Sequence, residues 1–370
     1  MHILGNMRTV AIALGLALVW CLPHSLHGQS GSPRLYDESV LKSRAIISQL
    51  FSDLHLPGLS VAVACSDSII WSEGFGYADV SIKQRVSTST KFRIGSVSKL
   101  LTATLCALLA ERGLLDLDSP VQRYVPSFPE KGRTITIRQL LGHLGGIRHY
   151  RRGEYINTVH YETVTSALSI FNEDTLVFEP GSKYGYSSYG YVLASVAAEQ
   201  GSNRNFLTLV RENILVPCSM ISTTPDISDA FDTTRTKYYM PDSTGKAILA
   251  PETDNSDRWG AGGFLSTSKD LALFGSAILN GRLLKPSTTR RMFTSQKTSA
   301  GKETGVGMGW RIAKDSLGVE YYHHEGEAIG GRAVIVVYPK YNLTVAIAAN
   351  ISFARFDDKV ALDIVHQFAR

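Results

Sequence analysis

Gly95-Ser96-Val97-Ser98-Lys99, continuing as Leu100-Leu101-Thr102-Ala103-Thr104-Leu105-Cys106-Ala107-Leu108-Leu109-Ala110, is the stretch on which the reading of this chain turns. The run after Lys99 has almost no polar face, the pattern of a buried helix. Gly113 stands where a left-handed C-terminal cap is wanted. Ser96 therefore falls at the first turn of a central helix, where free backbone N–H groups and the macrodipole favour negative charge. Lys99 lies three residues on, one turn away on the same face. A hydroxyl beside an amine at such a place is a candidate nucleophile and base. The tetrapeptide alone carries little weight. Ser-x-x-Lys also occurs at Ser39–Lys42, Ser243–Lys246, Ser266–Lys269 and Ser299–Lys302.

Moving outward from this helix, Tyr36 to Leu54 has helical spacing and stops before Pro57-Gly58. Leu59 to Cys65 alternates like a strand, and Ile69 to Tyr77 is the return strand. Near the other end, Arg332 to Tyr338 and Leu343 to Ala349 form two strands about the turn Pro339–Asn342, and Phe356 to Phe368 closes the chain with an amphipathic helix. Strands at both ends with a helical, turn-rich middle predict one antiparallel sheet assembled from both termini, with a helical region inserted. The sheet part is expected over about 36–91 and 301–370, the helical part over about 92–300. A cleft between the two is the natural place for chemistry.

Residues 1–28 have the look of an export signal: Arg8 flanks a short apolar run from Val10 to Leu22, too short for a membrane span. Cleavage is expected near Gly28, leaving a periplasmic or secreted protein with no transmembrane helix. A lipid anchor at Cys21 is the lesser alternative, because Trp20 is bulky beside it. The formal net charge of +5 is spread out, and Arg151-Arg152 and Arg290-Arg291 are isolated pairs, so nucleic acid is not an expected partner. Cys65, Cys106 and Cys218 have no regular spacing, which argues against a disulfide framework or a zinc motif.

Two further stretches carry chemistry. In Tyr184-Gly185-Tyr186-Ser187-Ser188-Tyr189-Gly190-Tyr191, glycines and tyrosines precede a helical run. One phenol there can face the cleft, and an ammonium such as Lys99 would lower its pKa toward that of a base. In Tyr321-Tyr322-His323-His324-Glu325-Gly326-Glu327, strand alternation puts Tyr322, His324 and Gly326 on one face and turns Glu325 away. Gly326 would admit another backbone at close range. A metal bound by His323, His324 and Glu325 lacks a supporting ligand spacing, and no metal or cofactor is expected. His143, inside an apolar helix end, fits a structural role better than a catalytic one.

Together these stretches resemble the serine β-lactamase-like superfamily of class C β-lactamases, penicillin-binding proteins and related esterases, and within it the branch that contains the mitochondrial serine β-lactamase-like proteins and their bacterial relatives. The resemblance runs from about Leu41 to the C-terminal helix. It rests on Phe92–Lys99, Ile137–His143, Gly146–Tyr150, Pro180-Gly181, Tyr186–Ser188, Ala261–Thr267, Gly307–Trp310 and His324–Gly326. It implies an α/β (α+β) fold, an antiparallel sheet flanked by N- and C-terminal helices with an inserted helical subdomain. It also implies an acyl-enzyme at Ser96 on an amide or ester: a peptide, a cell-wall fragment, a β-lactam or a small ester. Lys99 and Tyr186 would share the proton work, His324 would stand at the third motif, and the backbone N–H groups of Ser96 and Glu327 would receive the oxyanion. Ser188, Glu325 and Gly326 would meet substrate.

Two departures from the family pattern bear on substrate. Ser188 stands where an asparagine is common, and Glu325 replaces a hydroxyl residue, which is expected to disfavour substrates carrying a carboxylate. The alternative from a different class is a binding protein that keeps the cleft without turnover. An α/β-hydrolase is poorly matched, because Gly185-Tyr186-Ser187-Ser188-Tyr189-Gly190 is one residue too long for a nucleophile elbow.

Overall fold

Both ends of the described chain build one sheet. The structure is a computed structural model that describes residues 36–228 and 230–369. The expected leader and Cys21 lie outside the described residues. In chain order, helix α1 (Asp37–Asp53) is followed by strands β1 (Gly58–Cys65), β2 (Ser68–Asp79), β3 (Gln84–Arg85) and β4 (Phe92–Arg93). Helices α2 (Ser98–Glu111), α3 (Ile137–Leu141), α4 (Ser188–Ser202) and α5 (Phe206–Val210) come next. The short strands β5 (Thr224–Pro225), β6 (Tyr239–Pro241), β7 (Ala247–Leu249) and β8 (Phe264–Ser266) lead to α6 (Ser268–Leu279) and α7 (Pro286–Met292). Strands β9 (Arg311–Lys314), β10 (Glu320–Ala328), β11 (Gly331–Tyr338) and β12 (Leu343–Ala349) precede α8 (Asp358–Phe368).

The large sheet runs β3-β2-β1-β12-β11-β10-β9, with neighbours antiparallel. The link between the two ends is β1 on β12, with Val61 opposite Ile347. Period two sorts the side chains of the central strands. Leu59, Val61, Val63, Val334, Val336, Val345 and Ile347 join one buried cluster with residues of α8. Ala62, Ala64, Ala333, Ala346 and Ala348 join the other, with residues of α2, α4 and α6. Small side chains on that second face let α6 come close. A Cβ on Gly275 would lie 2.5 Å from Thr344 Cγ2. The antiparallel sheet with helices on both faces is the architecture expected from the sequence.

The expected helices and strands are present, with one shift at the decisive stretch. Ser96 does not open the long helix. It sits in a single 3₁₀ turn, Gly95–Val97, and α2 begins at Ser98. The turn is closely packed. Gly95 has φ +49°, and a Cβ there would lie 2.5 Å from Glu327 O and 2.7 Å from Glu327 N. On the other side of the contact, a Cβ on Gly326 would lie 1.8 Å from Ile94 O and 3.1 Å from Ser96 N. The turn bearing Ser96 and the end of β10 thus meet backbone to backbone.

That contact predicts an asymmetry between two glycines. Gly326→Ala should lose at least ~2 kcal/mol in urea unfolding, since overfilling a packed site costs about 1–3 kcal/mol and backbone atoms cannot swing aside. Gly190→Ala, in helix α4, meets only contacts of 3.4–3.7 Å and should be neutral or stabilising. Equal unfolding midpoints for Gly326→Ala and the parent would contradict the contact.

Candidate active site

Ser96 and Lys99 line up on the turn and first residues of α2 because the apolar face of that helix is drawn into the core. Lys99 is fully buried, its Nζ lying near the Tyr186 and Tyr191 rings. Its Nζ lies 3.0 Å from Ser96 Oγ, 3.0 Å from Ser188 Oγ and 2.7 Å from the carbonyl oxygen of Ala261. Burial pushes the Lys99 pKa well below the usual lysine value, and the positive charges of Arg258 and Arg311 push the same way. The group is therefore inclined to be a neutral amine, with two N–H bonds and one lone pair. Ala261 O can only accept, so it takes an N–H. The lone pair is left for one of the two serine hydroxyls, and either Ser96 or Ser188 donates to it.

Tyr186 reaches the same place from the segment leading into α4. Ser187 caps that helix, its Oγ accepting from Gly190 N–H at 2.9 Å and donating to Arg148 O at 2.8 Å. The cap brings Ser188 to Lys99 and leaves the Tyr186 ring 5.0 Å from Lys99 Nζ. The expectation that Lys99 would lower the phenol's pKa is not met. Burial raises the Tyr186 pKa, with only a partial offset from a hydrogen bond with the Ser96 side chain. Of the two groups, burial therefore favours the neutral amine of Lys99 and the protonated phenol of Tyr186.

Three histidines surround this centre, His143 and His324 buried and His149 half-buried, and backbone partners fix a ring nitrogen of each. His143 has φ +59°, and its Nδ1 accepts from Ser187 N–H at 3.1 Å. Its ring centroid lies 4.3 Å from that of Tyr186. His149 Nδ1 accepts from Ser188 N–H at 3.2 Å, while its Nε2 meets Tyr155 Oη at 3.0 Å. Both rings are thus Nε2–H tautomers that position Tyr186-Ser187-Ser188. His324 is the reverse: its Nδ1 faces the Glu325 carbonyl at 2.6 Å, so Nδ1 carries the proton and Nε2 keeps a lone pair. Burial holds His143 and His324 well below the usual histidine value and His149 at about 4.

Strand β10 contributes on both of its faces. His324 and Gly326 face Lys99 and the Ser96 turn, while His323 and Glu325 face α8. His323, His324 and Glu325 therefore cannot share one ion. Glu325 Oε2 accepts from Arg332 at 2.6 Å, and Glu327 Oε1 accepts from Phe353 N–H at 2.6 Å. Burial pushes the Glu327 carboxyl up to about 7. The backbone N–H groups of Ser96 and Glu327 belong to the two segments that meet at Gly95 and Gly326.

The resulting cleft holds about 170 Å³ and is bordered by Ser96, Tyr150, Tyr186, Arg258, Arg311 and Glu327. A larger groove of about 450 Å³ beside α5 is mostly apolar and offers no paired nucleophile and base. His149, Arg258, Arg311 and the Ala261 carbonyl are parts of the centre that the sequence reading did not single out. Arg258 is tied to Asp257, Nε to Oδ1 at 2.7 Å and Nη2 to Oδ2 at 2.9 Å. Among the described residues, no carboxylate lies within ion-pair distance of Arg311.

A hydroxyl held against a desolvated amine, beside a protonated phenol and below a tight backbone turn, is a constellation for acyl transfer. The comparison with known families agrees, since the family description Beta-lactamase matches residues 44–369. The chain belongs to the beta-lactamase family. It is 29% identical over 401 residues to the human serine beta-lactamase-like protein LACTB, mitochondrial, covering 83% of this chain and 73% of that one. Among solved structures it resembles an octameric penicillin-binding protein homologue from Pyrococcus abyssi, with TM-score 0.77, 24% identity and coverage of 89% and 77%. It also resembles a D-stereospecific amidohydrolase from Streptomyces sp., with TM-score 0.73, 25% identity and coverage of 86% and 97%. Membership places the chain among serine β-lactamase-like hydrolases. Among the described residues no helix is long and apolar enough to cross a membrane.

The histidine network makes a spectroscopic prediction. In long-range 15N–1H spectra, His143 and His149 should be neutral Nε2–H tautomers and His324 a neutral Nδ1–H tautomer at pH 7. His149 should titrate near 4. A midpoint near the ordinary 6.5 would contradict the burial and the Ser188 N–H contact.

Proposed function

We propose that this protein is a serine hydrolase that forms an acyl-enzyme at Ser96 on an amide or ester substrate. The observation that carries the reading is the 3.0 Å approach of a buried Lys99 amine to Ser96 Oγ. In the proposed sequence, Ser96 Oγ attacks the substrate carbonyl as its proton passes to Lys99 Nζ. The carbonyl oxygen gains charge against the N–H groups of Ser96 and Glu327. As the bond to the leaving group breaks, the Tyr186 phenol gives that group a proton and is reprotonated by the Lys99 ammonium. Water then attacks the ester carbonyl, losing a proton to the Lys99 amine, and the Lys99 ammonium returns that proton to Ser96 Oγ as the acid product leaves. His324 borders this route through its unprotonated Nε2, and Ser188 holds Lys99 in place.

The pocket's charge refines the substrate class. The expected penalty of Glu325 against carboxylates is lessened, because Glu325 borders the cleft with its carboxylate ion-paired to Arg332. Arg311 lines the cleft with no acidic partner among the described residues and lies 5.9 Å from the Tyr186 ring. We propose that it receives an anionic group of the acyl donor. Removing a hydrogen bond to a charged group costs about 1.5–3 kcal/mol, roughly 10- to 150-fold. Arg311→Gln should lower kcat/KM for a carboxylate-bearing ester at least ~10-fold more than for its neutral isostere, both sharing whatever the lost charge does to Lys99. Equal losses on both substrates would remove Arg311 from recognition.

The central test of turnover is covalent. Ser96→Ala should abolish labelling by a fluorophosphonate, while Ser39→Ala, Ser243→Ala, Ser266→Ala and Ser299→Ala retain it. Lys99→Met should slow acylation at least ~100-fold, the scale of general acid–base catalysis. In the parent protein the acid limb of acylation should lie well below lysine's ordinary range, so that the rate no longer rises between pH 8 and 10. Ligand retention with no adduct on any serine would favour the binding-protein reading.

A further inference from the structure

Strand β10 has a second face, turned from Ser96 toward α8. On it His323 and Glu325 point to Asp358 in the first turn of that helix. One donor atom from each of the three, a ring nitrogen of His323 and a carboxylate oxygen of Glu325 and of Asp358, lies within 4.8 Å of the others. His323 is 8% exposed, and its Nδ1 is buried with no hydrogen-bond partner. Asp358 Oδ1 is 3.7 Å from it, beyond hydrogen-bond length. A buried imidazole nitrogen left unsatisfied beside two acids calls for an explanation.

The other atoms of the two acids are already occupied. Asp358 Oδ2 accepts from the Tyr321 hydroxyl at 2.6 Å. Glu325 Oε2 accepts from Arg332 Nη2 at 2.6 Å. Each acid is thus held by an outer partner while its second oxygen stays available, the arrangement that orients ligands in metal centres. Burial lowers the His323 pKa despite the opposing pull of Asp358, so the ring is neutral and its nitrogen can ligate. The positive charge of Arg332 is shared among Glu325, Glu327 and the Phe356 carbonyl, and does not stand alone beside the site.

We propose that His323, Glu325 and Asp358 bind a divalent transition ion of the zinc class, with water completing its shell. One imidazole nitrogen and two carboxylate oxygens suit such an ion. Magnesium and calcium prefer all-oxygen shells. Zinc ligand atoms stand about 2.0–2.2 Å from the ion, hence roughly 3.4 Å from one another, so a small inward shift of side chains closes the site. The ion would pin β10 to the start of α8. Glu325 lies between His324 and Gly326, so the site is a brace for the strand that carries the Ser96 contact, and it takes no part in the chemistry there.

The test uses full-length protein freed of metal by dialysis and titrated with zinc chloride in a calorimeter. The expected result is one saturable site per chain, with a rise in Tm. His323→Gln and Asp358→Asn should each weaken binding at least ~10-fold, the scale set by changes around metal ligands. Asp358→Asn keeps an acceptor for Tyr321, so it preserves the fold and remains informative if His323→Gln is unstable. Cobalt bound in place of zinc should show a visible d–d spectrum that both variants lose. No saturable binding in the parent protein would overturn the proposal and leave His323 as a neutral ring 3.7 Å from Asp358. Binding that both variants retain would also overturn it, placing the ion elsewhere.

Discussion

The close meeting of two backbones, Ile94–Ser96 against Gly326–Glu327, is the constraint on which the rest of the site depends. It is possible only because neither residue 95 nor residue 326 carries a Cβ. One side of the contact is a turn that ends in the most buried helix of the molecule. The other is a strand held in register by β11, with Gly326 opposite Ala333. Neither can move without disturbing a core, so the N–H groups of Ser96 and Glu327 are held in place ahead of the proposed reaction. Donors fixed in this way stabilise developing charge more than mobile ones do, because they need no reorganisation.

The same burial that fixes the backbone sets the protonation states. Lys99 would be an ordinary ammonium in water. Among apolar neighbours, with Arg258 and Arg311 nearby, its charged form is disfavoured, and a lone pair becomes available beside Ser96. Tyr186 responds in the opposite direction because its charged form is an anion. One environment therefore separates a base from an acid without any carboxylate in the proton path. The histidines follow suit: desolvation keeps them neutral, and backbone N–H and C=O groups choose which nitrogen carries the proton.

Much of this was legible in the sequence, for physical reasons that can be named. Periodicity marks the central strands because they are buried on both faces, and Leu343–Ala349 matches β12 residue for residue. Strand alternation correctly turned Glu325 away from His324. What periodicity could not show was contact between distant segments. His149 reaches Ser188 across 39 residues, and Lys99 reaches the Ala261 carbonyl across 162. Arg311 follows Trp310 directly, yet its lack of an acidic partner is visible only in three dimensions. The direction of the Tyr186 shift was misjudged for the same reason. A neighbouring charge can be guessed from sequence, whereas the extent of desolvation cannot.

The most direct test of the account is a high-resolution structure of the protein after reaction with a phosphonate, whose tetrahedral oxygen stands in for the oxyanion. The account predicts phosphorus bonded to Ser96 Oγ. It also predicts one phosphoryl oxygen about 2.7–3.1 Å from the backbone nitrogens of both Ser96 and Glu327, the range of a formed oxyanion hole. An adduct on another serine, or an oxygen turned away from Glu327 toward solvent, would contradict it.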